Sequence, residues 1–261
     1  MIKKLMKYDL KKMTRILIYI YLVSIAFASL TRLVFIWKDI QAVAILGYAL
    51  QAVVYSAIGS ILVNTFVHIL KTFLDGFYKD ESYLTHTLPV SKNKLLASKY
   101  LSSLITIFAS VLVCFVSLFI MFYSKSFVLS LKGFIRATVA NFNMSVGLFL
   151  FLMVAIIFSQ ICAIMSMAFC AVVKANTYNH KRVLKGLICF FIYYFASMIL
   201  TLISIVVVFV VSGSLHELTA SVLSQKAFVS ILVIGLVLYV IYAIVFYFIT
   251  RKLFNKGVNV D

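Results

Sequence analysis

Long uninterrupted apolar runs alternate with short polar connections along the whole of this chain. An apolar run of about 18 residues or more reads as a helix that crosses a bilayer, because about 20 residues of helix cover a hydrocarbon core of ~30 Å. Six such runs are present, near residues 16–36, 43–70, 100–123, 143–173, 187–212 and 228–250. They are continuous rather than alternating in polarity, which argues against a membrane barrel. The pattern predicts an all-α polytopic membrane protein with six transmembrane helices in one domain over residues 1–261.

Smaller patterns lie between and before the runs. Ile2, Leu5, Met6, Leu10 and Met13 recur at three- and four-residue steps, while Lys3, Lys4, Lys7 and Lys11 take the other faces. A helix with one apolar stripe and a lysine-rich remainder lies in the membrane interface, so residues 1–14 are expected to form an interfacial elbow helix; the plainer alternative is a basic flank that only sets topology. The second run has no strong breaker from Val43 to Leu74 except Gly47 and Gly59. At 1.5 Å per residue such a helix is ~48 Å long and overshoots the bilayer, and the fourth run overshoots similarly.

The polar loop over residues 75–99 contains Pro89, the one proline of the sequence. Asp80 and Glu81 suit the first turn of a helix, where negative charge meets the positive end of the dipole. Tyr83, Leu84 and Leu88 make a short apolar face, and Pro89 disfavours helix at Leu88. Ser91 is placed to cap a new helix that leads into the third span. Two short helices joined at residues 88–91 are therefore expected. Leu215, Leu218, Val222 and Leu223 recur at helical spacing within 213–227, which reads either as an outward loop helix or as a re-entrant helix.

Composition sharpens this picture. The chain is 64% hydrophobic and 12% charged, with a mean hydropathy of +1.13. Its formal charge of +17 is no nucleic-acid signature, because the cations sit in the connections. Eighteen of the 24 Lys and Arg residues fall in the N-terminal segment, the second and fourth connections and the C-terminal segment. The remaining six (Arg32, Lys38, Lys125, Lys132, Arg136 and Lys226) fall on the opposite side. The positive-inside rule then places both termini in the cytoplasm, in agreement with an even number of spans. A basic start followed by an apolar run and Ala26-Phe27-Ala28 has the outline of a signal peptide, but the run continues to Ile36 and cleavage is not expected. Cys114, Cys162, Cys170 and Cys189 all lie in spans without metal or disulfide spacing and read as small apolar filler.

Chemistry-bearing motifs are sparse. All seven acidic residues (Asp9, Asp39, Asp75, Asp80, Glu81, Glu217 and Asp261) lie at span ends or in connections. Ion-coupled carriers place an ionisable group near the midplane, so gradient-driven transport is weakened. The sequence has no Gly-x-x-x-x-Gly-Lys phosphate loop, no Gly-x-Ser-x-Gly nucleophile turn and no His-Glu-x-x-His zinc motif. His68, His86, His180 and His216 are scattered. Gln51, Asn64 and Gln160 within spans read as interhelical hydrogen-bonding residues. A membrane enzyme or assembly factor finds little support in so thin a polar constellation.

The stretch DESYLTHTLPVSKNKLLASKYL (80–101) resembles the cytoplasmic loop of bacterial ABC-transporter permeases of the type-2 exporter class. There an acidic, Tyr-containing helix precedes Leu-Pro, a hydroxyl residue and a Ser-Lys entry to the third span, matched here by Glu81, Tyr83, Leu88, Pro89, Ser91, Ser98 and Lys99. The ending KLFNKGVNVD is similar to the Gly-Val-Asn-Val-acidic tail of Gram-positive members, and the basic N-terminal helix to their elbow helix. The topology resembles the class along the whole chain; the specific motifs cover about 30 residues. The resemblance implies that 75–99 is a coupling loop docking on a separate ABC ATPase subunit. Tyr83 and Leu84 would be its buried anchors, Asp80 and Glu81 its charge partners and Pro89 a stiff corner. ATP and Mg would be bound by that partner and no cofactor by this chain, which is itself no enzyme. A second permease chain, identical or related, would complete the unit in the plasma membrane, among lipid and without nucleic acid. Its cargo would be amphipathic or lipophilic, such as a peptide, toxin or drug. A gradient-driven transporter or channel is the alternative.

Overall fold

The structure, a computed structural model, describes all residues except 1, 38–39, 80–81, 88–89, 142–144, 179–180, 214–224 and 257–261, and omits the side chains of 2, 84–86, 125, 141 and 225–226. Among the described residues it is all helical. Six of the described helices are long and apolar enough to cross a membrane. They are α1 (Ile2–Val34), α2 (Gln41–Tyr78), α4 (Lys92–Phe122), α6 (Val146–Ala175), α7 (Arg182–Val211) and α8 (Gln225–Asn255), with two shorter helices, α3 (Ser82–Thr87) and α5 (Lys125–Asn141). Large side chains such as Ile45, Val63, Phe151, Ile192 and Phe248 are exposed, as expected where lipid rather than water is the solvent.

α1 differs from the expected elbow followed by a span. It is one unbroken helix of 33 residues, about 50 Å long at 1.5 Å per residue. Leu5, Met6 and Leu10 are half-buried and Met13 is fully buried, and the same stripe continues through Leu17, Ser24, Ala28 and Thr31. Ile2 begins the helix, its side chain lying outside the described set. The lysines that end the apolar run do not end the helix, because Lys is a good helix former and projects away from the buried stripe.

The chain divides into two compact units, Met1–Ser130 and Leu131–Asp261. In the first, α1 and α4 run parallel: Asp9 meets Lys99, Tyr21 meets Ser110 and Ser24 meets Ser117. α2 runs antiparallel to α1, with Lys12 against Asp75 near one end and Phe35 edge-on to Tyr48 at the other, ring centres 5.6 Å apart. In the second unit α6 and α8 run parallel. Phe149 and Leu152 pack with Phe228, Val229 and Leu232, and Ala163 and Met167 pack with Leu238 and Tyr242. α7 is antiparallel to both: Gly186 approaches Ala175, and Ser197 faces Met167 and Tyr242.

α5 is a 17-residue helix in a connection for which the sequence pattern gave no element. Ser124 caps it, its hydroxyl accepting from the Phe127 N–H at 3.0 Å. Phe127, Leu131, Phe134 and Ile135 share one face, and Lys132 and Arg136 lie off it. Phe127 stacks on Phe122.

Candidate functional site

Between the end of α2 and the start of α4 the described residues include one short helix. α2 spans 38 residues, about 57 Å, and so extends beyond a bilayer core, as its sequence indicated. α3 follows after three residues, with the Ser82 N–H donating to the Lys79 carbonyl at 2.7 Å and Ser82 itself buried. Tyr83 projects outward with 76% of its surface exposed. Leu84 lies within α3, its side chain outside the described set; Asp80, Glu81 and Pro89 are outside the described residues. Ser91 holds the N-cap position of α4 with extended backbone, and its carbonyl accepts from the Lys94 and Leu95 N–H groups. Its hydroxyl makes no capping bond, so the cap is positional only.

At the end of α2 that leads to α3 lies a charge cluster that sequence reasoning missed. Lys99 Nζ donates to Asp9 Oδ1 at 2.6 Å, and the two side chains are only 9% and 13% exposed. The pair joins the start of α4 to the start of α1. Asp75, on the last turns of α2, lies 3.8 Å from Lys12 and 4.0 Å from Lys79. Gly76 explains how Lys99 reaches its partner: a Cβ at this position would stand 2.9 Å from Lys99 Nζ and 3.1 Å from Cε. Glycine thus leaves a channel across α2 for the lysine stem. Phe77 is fully buried, and its ring lies 6.0 Å from the ammonium. All three long helices of the unit are therefore fastened together near the end of α2.

Hydroxyls continue the fastening along the α1–α4 seam. Ser110 is bonded to the Tyr21 hydroxyl at 2.5 Å and to Thr65 of α2 at 2.7 Å. Ser24 donates to Ser117 at 3.1 Å. Two of these hydroxyls also return to a carbonyl of their own helix, Thr65 to Ile61 and Ser110 to Thr106, which satisfies them without water. The polar span residues singled out from sequence behave otherwise. The Gln51 amide donates to Tyr55 and that of Asn64 to Ser60, each on its own helix rather than across helices.

The second unit has a different polar feature at its centre. A cavity of about 60 Å³ is lined by Gln160, Met167, Tyr194, Ser197, Thr201 and Tyr239, with Ala163, Ile164 and Met198 completing its wall. At the nearby end of α6, Lys174 lies 5.6 Å from the ring centre of Tyr193, and Lys185 lies 4.2 Å from that of Tyr178. Lys181, which opens α7, holds a left-handed backbone at φ 53°. Among the described residues no three His, Cys, Asp or Glu side chains gather as metal ligands would.

No family model matches the chain, and no curated protein or solved structure is significantly similar to it.

Proposed function

We propose that the chain is the permease subunit of an ATP-driven exporter of the ABC type-2 class, with both termini cytoplasmic and α3 as its coupling helix. The observation that carries this reading is the short helix that follows the overshooting α2, which carries an exposed Tyr83 a few residues beyond the ion pairs that join α1, α2 and α4. A partner that grips α3 would pull on α2. The Asp75–Lys12 contact would pass that displacement to α1, and the Lys99–Asp9 pair would pass it to α4. Three spans would move as one body, which is what conversion of a distant ATPase closure into transport requires. Asp80, Glu81 and Leu84 would add charge and apolar contacts on the same docking face, with Pro89 stiffening the exit from it. ATP and Mg would sit on the partner, in keeping with a sequence that has no phosphate loop of its own. Two permease chains and two ATPases in the plasma membrane would form the working unit, carrying an amphipathic or lipophilic cargo.

The test is purification of the tagged chain from its native membranes, followed by identification of co-purifying proteins and assay of ATP-driven transport. A nucleotide-binding partner recovered with the wild type, and lost or weakened with Tyr83→Ala, supports the reading; truncating an interface anchor typically costs about 2 kcal/mol or more. Transport that runs on an ion gradient without ATP or partner would instead establish the secondary-transporter alternative.

A further inference from the structure

The cavity of the second unit lies half-way along three spans. Gln160 is the fifteenth residue of the 30-residue α6, Ser197 the sixteenth of the 30-residue α7, and Tyr239 the fifteenth of the 31-residue α8. Polar side chains at this depth are costly unless they find partners. Two of them do. The Ser197 hydroxyl donates to the Tyr194 carbonyl at 2.7 Å and that of Thr201 to the Ser197 carbonyl at 2.8 Å. The Thr201 and Tyr242 hydroxyls also lie 3.3 Å apart, and the Ser197 hydroxyl oxygen keeps its lone pairs available as an acceptor. The Gln160 amide and the hydroxyls of Tyr194 and Tyr239 have no hydrogen bond among the described residues, although all three line the cavity. Together they offer amide and phenol donors, an amide carbonyl and hydroxyl acceptors, with no formal charge. Gln160, Tyr194 and Tyr239 are only half-buried, so the cavity is not sealed.

We propose that this mid-span cavity binds the uncharged polar end of an amphipathic molecule, a hydroxyl or an amide, with the attached hydrocarbon lying over Ile164 and Met198. A volume of about 60 Å³ accommodates several water-sized groups, enough for such a terminus and too small for a whole peptide or drug. The lack of a charged lining residue selects against ions and zwitterions, because a buried charge needs a paired one. Two tyrosines and a glutamine left open at one place are better accounted for by a ligand than by helix packing, which would have paired them. Identifying that molecule as cargo rests on the export reading; the binding does not.

The test is photolabelling of the purified full-length chain in lipid nanodiscs with a diazirine-bearing octanol, against the same probe lacking its hydroxyl. The expected result is labelling at Met167, Tyr194, Met198 or Tyr239 by the alcohol alone, competed by unlabelled octanol. Gln160→Leu and Thr201→Val should each lower it by roughly threefold, the factor that one hydrogen bond within a bilayer supplies on average. Gln51→Leu, on an exposed face of the first unit, should leave it unchanged. Having two independent variants, each checked for a monodisperse protein, keeps the result interpretable if one misfolds. Equal labelling by both probes, or alcohol labelling that neither variant reduces, would overturn the proposal. Because no ATPase is present, this outcome is independent of whether a nucleotide-binding partner exists.

Discussion

The two units build the same three-helix arrangement and fasten it by different means. In each, the first and third helices run parallel and the second antiparallel to both. The first unit joins its helices with an ion pair and a ladder of hydroxyls, from Asp9–Lys99 to Ser24–Ser117. The second relies on small and sulfur-bearing residues. Ala163, Met167, Cys170 and Ala171 are buried on α6, Gly186 allows α7 to close on Ala175, and Tyr242 and Phe246 pack from α8. Hydrophobic burial gives little drive for helix association once the solvent is lipid, so close approach and polar contacts must supply it. The first unit uses the polar route and leaves few of its groups open. The second uses close approach, and although Tyr242 bonds to α7, Gln160, Tyr194 and Tyr239 at mid-depth stay available. The comparison teaches that a polar residue in a span has two fates, glue or site, and that only its partners separate them.

The largest way to break this contrast is to remove one end of the buried ion pair. Lys99→Met leaves the Asp9 carboxylate unpaired and should destabilise the first unit by about 3–5 kcal/mol, read from chemical unfolding of the purified protein in detergent. The double variant Asp9→Leu with Lys99→Met should recover most of that loss, since a well-packed apolar replacement of an ion pair is often neutral. If the double variant is as unstable as the single one, the pair does more than close a charge. Gly186→Leu tests the other unit. Its added side chain must push α7 from Ala175, at a cost of about 1–3 kcal/mol, with no change in the Lys99-dependent transition.

Gly76→Ala sharpens the comparison further. Its Cβ meets the Lys99 ammonium and Cε rather than backbone, so the cost should be on the order of 1 kcal/mol and should nearly vanish in a Lys99→Ala background, a non-additivity that a double-mutant cycle measures. Smallest of all is Ser24→Ala. An interhelical hydrogen bond in a membrane averages about 0.6 kcal/mol, so the midpoint of unfolding should shift only slightly. A loss several times larger would mean that the hydroxyl ladder acts cooperatively.

The six spans were legible because their signal is local: twenty apolar residues in a row have few alternatives to crossing a bilayer. The short helix at Ser82–Thr87 and the start of α4 just after Ser91 were legible for the same reason, whereas residues 88–89 of the expected junction lie outside the described residues. The continuity of α1 was not. Hydropathy falls at Lys11, Lys12 and Arg15, but helix propensity does not, and a reading by hydropathy inserts a boundary that the backbone lacks. α5 was missed because 17 residues interrupted by Lys132, Gly133 and Arg136 fall short of a span; the three- and four-residue spacing of Phe127, Leu131, Phe134 and Ile135 was the signal available. Lys99 was counted among loop cations because its partner is 90 residues away, and no local pattern encodes such a pairing. Gln160 was read as packing glue, and only the convergence of three helices shows its amide facing a cavity beside two tyrosines.

The separation of Asp9 from Lys99 also sets a clock for assembly. Chains are made at about 5–20 residues per second, so the 90 residues between them take roughly 5–20 s to synthesise. During that interval α1 holds an acidic side chain, a tyrosine and a serine whose partners on α4 do not yet exist. α2, made first, provides Asp75 for Lys12 but offers only Gly76 at the level where Lys99 will pass. The first hairpin must therefore wait with an open slot, and the third span completes it by sliding in alongside the first.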